Sequence, residues 1–155
     1  MRSKMSKVFV LTGLVGVLLG GSIAAQERGF GLGIILGEPT GLSAKLWTGA
    51  KTAFDAAAAW SIDEKDTSYL HADYLVHNFN LLTLERDSLP FYYGIGGTVR
   101  LTKNERAGIR LPLGLAYIFE DAGVDIFLEV VPLFFVLPDT NFSINSGLGI
   151  RYFFR

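Results

Sequence analysis

The C-terminal stretch 141–154, which reads NFSINSGLGIRYFF, decides the fold. Its odd-numbered positions are mostly small or polar, and they include two glycines and Arg151. Its even-numbered positions are mostly large and apolar: Phe142, Ile144, Ser146, Leu148, Ile150, Tyr152 and Phe154. A period of two is the period of a β-strand, in which successive side chains point to opposite faces. We therefore predict a strand with one apolar face and one small or polar face.

The same alternation recurs along the whole chain after residue 26. Seven further strands are predicted at 29–37, 41–48, 52–62, 67–77, 89–101, 107–119 and 124–136. Eight strands leave roughly 16 residues for each strand with its connection, which fits hairpins and leaves no room for crossover helices. Because an open sheet would leave two unpaired edges, we expect the strands to close on themselves. The predicted fold class is all-β, an eight-stranded antiparallel up-and-down barrel.

The N-terminal segment has the pattern of a secretory signal peptide. Arg2, Lys4 and Lys7 form a positive head, residues 8–19 are uncharged and mostly apolar, and residues 20–25 are mostly small. The alternative is an uncleaved membrane anchor, but the apolar run is shorter than the roughly 20 residues that a spanning helix needs. We therefore divide the chain into a signal peptide, 1–25, and a barrel domain, 26–155.

The positions of the glycines predict which face of the barrel points outward. In soluble eight-stranded barrels the apolar face points inward and the polar face meets water. Here most glycines after residue 26 lie on the less apolar face, for example at 31, 33, 94, 96, 147 and 149. Glycine weakens a solvent-exposed strand, whereas the narrow interior of an eight-stranded barrel needs small residues. The large apolar face is then outside, as a bilayer requires, so we predict a transmembrane barrel.

Three strings carry a resemblance to a known family: GLGIILGEPTG at 31–41, HADY at 71–74 and GLGIRYFF at 147–154. With the overall pattern, they make the chain similar to the small eight-stranded outer-membrane barrels of the OmpA and OmpX type. The C-terminal string resembles the assembly signal of such proteins, except that Arg155 follows the final aromatic Phe154. The resemblance implies a monomer in the bacterial outer membrane. Its partners would be outer-membrane lipid and the barrel-assembly machinery, which would engage the C-terminal strand.

Outward aromatic residues near the strand ends fit the interface belts of such barrels. The predicted membrane-interface residues are Phe30, Phe54, Trp60, Tyr74, Phe91, Tyr93, Tyr117, Phe142, Tyr152 and Phe154. The connection from 77 to 88 is the longest in the chain, although barrels of this kind keep their periplasmic turns short.

Charged residues on the inward face predict a lumenal charge network. Its members are Lys45, Asp55, Asp73, Arg100, Arg110, Asp125, Glu129 and Arg151. Charges enclosed in a narrow barrel must be paired, because unpaired burial costs several kcal/mol. If the turn 49–51 is symmetric about Ala50, Lys45 lies opposite Asp55. We expect these residues to close the lumen; a gated or selective pore is the alternative.

Composition excludes several classes of function. The chain of 155 residues has no cysteine, a formal net charge of -1 and a mean hydropathy of +0.35. Disulfide frameworks and cysteine nucleophiles are therefore excluded, and no basic surface for nucleic acid is indicated.

Few residues suggest catalysis or metal binding. His71 and Asp73 share a face, and Ser61 or Ser68 lies near them in the sequence, but no spacing defines a catalytic triad or a metal site. We expect a non-enzymatic outer-membrane protein with a structural role in the envelope and with no metal or cofactor. A small pore or ligand-binding barrel is the alternative, and a lipid-modifying barrel enzyme is a third candidate.

Overall fold

The structure, a computed structural model, describes residues 29–61, 66–82, 84–103 and 105–154. The predicted signal peptide lies outside these residues. Within them the chain is all-β, and no helix is long and apolar enough to cross a membrane. The strands are β1 (Phe30–Glu38), β2 (Thr40–Trp47), β3 (Thr52–Trp60), β4 (Ser68–Asn78), β5 (Phe91–Leu101), β6 (Arg106–Arg110), β7 (Leu113–Phe119), β8 (Val124–Leu137) and β9 (Asn141–Phe154).

All strands belong to one antiparallel sheet that closes in a ring. The order is β4-β3-β2-β1-β9-β8, followed by β6 and β7, and then β5, which pairs back onto β4. Closure joins the first strand to the last, because Phe30 is the register partner of Phe154. The prediction of an all-β, antiparallel, up-and-down fold is confirmed, and a closed ring leaves no unpaired edge.

The predicted count of eight strands is wrong for the described residues, which form nine. The predicted strand 107–119 is interrupted at Leu111–Pro112, because Pro112 has no N–H to donate to a neighbouring strand. The register is unchanged across the interruption: Arg110 pairs with Leu133 on one side, and Leu113 pairs with Val130 on the other. β6 and β7 therefore occupy a single position between β5 and β8.

Large apolar side chains cover the outer face of the ring. Ile95, Leu128 and Ile144 are 58%, 56% and 60% exposed, and similar residues are exposed on the other strands. Charged and polar side chains of the alternate positions are buried inside, among them Lys45 and Asp125 at 0% exposure. This distribution is the reverse of that in a soluble protein, where large apolar residues are mostly buried. It agrees with the orientation that the glycine pattern predicts.

The inward glycines make room for aromatic rings from neighbouring strands. A Cβ atom at Gly114 would collide with the ring of Tyr92, and one at Gly149 would collide with the ring of Phe127. Both rings are nearly fully buried and belong to one apolar cluster in the interior. The interior is therefore packed with side chains, and small residues on one strand alternate with large ones on the next.

The ring has two rims. The terminal rim is where β1 begins and β9 ends, and it carries the connections β2–β3, β4–β5 and β7–β8. The far rim carries the connections β1–β2, β3–β4, β5–β6 and β8–β9. The long β4–β5 connection is held to β7 at the terminal rim. There Ser88 and Ile118 exchange backbone hydrogen bonds of 3.1 and 2.7 Å, and the hydroxyl of Tyr117 donates to Asp87 at 2.9 Å.

Candidate functional site

Seven of the eight predicted lumenal charges are buried inside the ring. We call them the buried charge cluster: Lys45, Asp55, Asp73, Arg110, Asp125, Glu129 and Arg151. They come from β2, β3, β4, β6, β8 and β9, and each takes an inward position because side chains alternate along a strand. The eighth residue, Arg100, is only half-buried and lies near the far rim.

Arg110 joins two carboxylates from different sides of the ring. Its Nε donates to both carboxylate oxygens of Asp73, at 3.0 and 3.1 Å, and its Nη2 lies 3.6 Å from Glu129 Oε2. The hydroxyl of Tyr92 donates to the other oxygen of Glu129 at 3.1 Å. Hydrogen bonds between charged groups are shorter and stronger than neutral ones. Arg110 therefore holds β4, β6 and β8 together through the interior.

Arg151 does the same for the other half of the ring. Its Nε donates to Ser43 Oγ at 3.0 Å, while its two terminal nitrogens lie 3.5 Å from Asp125 Oδ2 and Asp55 Oδ2. The guanidinium carbon is 3.8 Å from the ring centroid of Phe127, a cation–π distance. These contacts link β2, β3, β8 and β9.

Lys45 has a different partner from the one that the sequence predicts. Lys45 is the register partner of Asp55, as expected from the symmetric turn, but its Nζ lies 2.8 Å from Nε2 of His77. Nδ1 of His77 is 3.1 Å from the carbonyl oxygen of Lys51, which can only accept, so Nδ1 carries the proton. Nε2 is then the acceptor for the ammonium. The ammonium also lies 4.5 Å from the ring centroid of Trp47.

The cluster contains four carboxylates and three cationic side chains. Oδ1 of Asp55 and Oδ1 of Asp125 accept no hydrogen bond from a described residue. His71 lies beside them, with Nε2 3.7 Å from Asp73 and 3.9 Å from Asp55. Both arginines of the cluster are therefore ion-paired, Lys45 is bonded to His77 instead of a carboxylate, and the carboxylates have acceptor capacity left.

Asp55, His71 and Asp73 form a set of groups that could hold a metal ion, with ligand atoms within 4.8 Å of one another. Two carboxylates and an imidazole suit a divalent transition metal. In this structure, however, the two carboxylates already face the guanidinium groups of Arg151 and Arg110. Those two cations supply the positive charge that a metal would supply.

The structure separates the residues that suggested hydrolysis. Ser68 is exposed on the outer face, Ser61 is half-buried at the far rim, and His71 is buried in the interior. Ser68 and His71 thus face opposite sides of β4. Sequence reasoning missed three polar partners of the cluster: Ser43, His77 and Tyr92. All three stand at inward-facing positions of their strands, as the charged members of the cluster do.

The predicted interface aromatics lie near the two rims. Phe54 packs against Tyr74 with ring centroids 5.2 Å apart, and Tyr152 packs against Phe154 at the same distance, both towards the terminal rim. Towards the far rim, Phe142 contacts Phe134 at 5.1 Å. Of the ten, seven are exposed, and three are half-buried: Phe30, Phe91 and Tyr117. Trp60, which ends β3 at the far rim, is 50% exposed.

Comparison of the chain with protein-family models, with curated proteins and with solved structures gives no match.

Proposed function

We propose that this chain is an integral protein of the bacterial outer membrane, a transmembrane β-barrel with a non-enzymatic, structural role in the envelope. β6 and β7 count as one strand of that barrel, which gives it the eight positions of the OmpA and OmpX type. The observation that carries the proposal is the reversal of faces: large apolar side chains cover the outside, and the charged side chains lie inside.

Hydrocarbon is the environment that suits this outer face. In water, an apolar surface that runs around a whole molecule promotes aggregation, whereas in a bilayer it is the required surface. The bilayer core also demands that every backbone N–H and C=O be paired within the protein, and a closed ring of strands meets that demand. The aromatic residues near both rims would then lie at the two membrane–water interfaces, where such side chains are enriched.

The buried charge cluster favours a closed barrel over a pore. Arg151 contacts Asp55 on β3 and Asp125 on β8, and Arg110 on β6 contacts Asp73 on β4. Arg151 and Asp125 lie on adjacent strands, whereas the pairs of Arg110 with Asp73 and of Arg151 with Asp55 connect strands two and three positions apart through the interior. An ion crossing the interior would have to disrupt these pairs. Breaking a buried pair is expensive because it leaves an uncompensated charge. The cluster therefore acts as a plug that rigidifies the barrel.

The proposed partners follow from the same surfaces. Outer-membrane lipid would cover the apolar face, and β9, the last strand, would engage the barrel-assembly machinery through its alternating apolar residues. Since closure leaves no free edge for pairing with a second chain, we propose a monomer.

Membrane fractionation and gel mobility test the proposal. We expect the protein in the outer-membrane fraction, with a faster gel mobility before boiling than after it, because a closed barrel resists detergent until it is heated. Recovery of a folded, detergent-free monomer from the periplasm would refute the membrane assignment.

Conductance tests the structural role separately. The refolded protein in a planar bilayer should show no steady single-channel current, because the cluster closes the interior. The matched variant is Arg151→Met, which removes a central member of the cluster. If the cluster closes the interior, this variant should show more current than the unaltered protein. A steady current from the unaltered protein would favour the pore alternative.

A further inference from the structure

A cavity of about 520 Å³ lies at the far rim, outside the buried charge cluster. Its size falls in the range of small-molecule sites in proteins, which is roughly 300 to 1,000 Å³. The polar residues that line it are Ser61, Tyr69, Arg100, Arg106, Asn141, Ser143 and Asn145. Leu133 and Phe135, which are buried in the interior, also line it.

Two of these residues are arginines placed face to face. Arg100 on β5 and Arg106 on β6 are register partners, so they lie directly opposite each other across the hairpin. Like charges directly opposite on adjacent strands are destabilising. Both line the same cavity, and none of its described lining residues is acidic. Among the described residues, Arg106 forms no ion pair.

This arrangement places two guanidinium groups where they can face one anion. A phosphate group can accept hydrogen bonds from two guanidinium forks at once, which is why arginine is frequent in phosphate sites. The rest of the lining combines hydroxyl and amide groups, which pair with hydroxyl groups of a ligand, with four apolar side chains: Leu133, Phe135, Phe142 and Ile144. The ring of Tyr69 supports Arg100, whose guanidinium carbon lies 5.9 Å from the ring centroid.

We propose that the far-rim cavity is a binding site for a phosphate-bearing polar molecule, with Arg100 and Arg106 holding the phosphate. The same chemistry is offered by a soluble phosphate ester and by the phosphate of a lipid headgroup. The site goes beyond the structural role proposed above and does not depend on membrane insertion, because strands of the ring itself supply all but Ser61 of the described residues that line the cavity.

Calorimetric titration of the protein without the predicted signal peptide, residues 26–155, tests the site. The protein is kept in phosphate-free buffer and in a maltoside detergent, which carries no phosphate. Glucose 6-phosphate is compared with glucose for the soluble source, and phosphatidic acid with diacylglycerol for the lipid source. We expect the phosphorylated member of at least one pair to bind and its unphosphorylated counterpart to show no binding.

Three variants identify the groups that bind the phosphate. Arg106→Gln and Arg100→Gln should each weaken binding by at least about tenfold, because each removes charge-assisted hydrogen bonds to the phosphate. Lys103→Gln is the matched control: Lys103 is exposed in the same hairpin, outside the cavity, and its loss should change the affinity by less than about twofold. Without ligand, Arg106→Gln should unfold at the same or a higher urea concentration, because it relieves the like-charge contact.

The outcomes separate the possibilities. Binding of glucose 6-phosphate that requires both arginines assigns a soluble ligand, and the same dependence seen only with phosphatidic acid assigns a lipid headgroup. The proposal is overturned if neither phosphate compound binds, or if Lys103→Gln loses as much affinity as the two arginine variants. If the protein stays folded and soluble without detergent, the membrane proposal fails, but the titration can still be carried out in buffer.

Discussion

Replacing Arg110 with methionine should destabilise the protein more than any change of a surface charge. Arg110 is 3% exposed, and its Nε donates to both oxygens of Asp73 at 3.0 and 3.1 Å. Methionine fills part of the space but leaves Asp73 and Glu129 without their cationic partner. Two buried carboxylates would then face each other across the interior.

The expected magnitude follows from the geometry of the pair. Opposite charges about 4 Å apart attract by about 4 kcal/mol at an effective dielectric constant of about 20. Removing one partner of a buried pair typically costs about 3 to 5 kcal/mol, so we expect a loss in that range for Arg110→Met. In Asp73→Asn the stranded charge is the guanidinium, whose remaining contact is Glu129. The double variant removes both members of the pair of Arg110 with Asp73 and leaves only Glu129 without its cation, so its loss should be smaller than the sum of the two single losses by about 2 kcal/mol.

Urea unfolding in lipid vesicles, followed by tryptophan fluorescence, would measure this coupling. Lys103→Met is the control, because it removes an exposed charge from the neighbouring hairpin and should change stability by less than about 0.5 kcal/mol. The coupling between Lys45→Met and Asp55→Asn is measured for comparison. It should be smaller, because the ammonium of Lys45 is bonded to His77 instead of Asp55. Additive effects of the Arg110 and Asp73 changes, within about 0.5 kcal/mol, would refute the pairing. A larger coupling between Lys45 and Asp55 would refute the partner assignment.

Three further predictions follow from the faces and the packing. Val130→Arg, in the middle of β8, should cost about 2 to 4 kcal/mol in a bilayer, whereas Val136→Arg, near the far rim on the same face, should cost about 0 to 1 kcal/mol; equal unfolding free energies for the two would contradict a membrane position. Gly114→Ala should lose about 1 to 3 kcal/mol by displacing the ring of Tyr92, as urea titration would show. Gly97→Ala, which meets only one backbone oxygen at 3.9 Å, should be nearly neutral, and an equal loss at both sites would contradict the packing. Tyr92→Phe should cost about 1 to 3 kcal/mol in the same assay, because Glu129 loses a buried hydrogen bond, and an unchanged midpoint would show that this bond contributes nothing.

Alternation along the chain was enough to predict all but one of the strand boundaries that matter for the ring, the antiparallel order, and which positions of a strand face inward. The reason is local: in a strand, the backbone alone determines that positions such as Ile150 and Arg151 face opposite sides. Turn geometry was also enough to predict that Lys45 and Asp55 are register partners. The interruption of the predicted strand 107–119 was overlooked, although it is a local feature. Pro112 has no N–H group and so cannot donate a hydrogen bond to the neighbouring strand.

Alternation along a strand shows whether a side chain faces inward or outward. It does not show the position of that side chain along the axis of the ring, or which side chains it contacts across the interior. Arg100 and Arg110 both stand at inward-facing positions, yet Arg110 is buried against Asp73, whereas Arg100 lines a cavity at the far rim. The bonding of Lys45 to His77 and the packing of Tyr92 over Gly114 depend in the same way on distant strands. Such contacts join residues far apart in the chain, and only the register of the closed sheet brings them together. The sequence by itself therefore determined which residues face the interior, and the tertiary structure decided which of them pair, because pairing depends on distances that arise only when the ring closes.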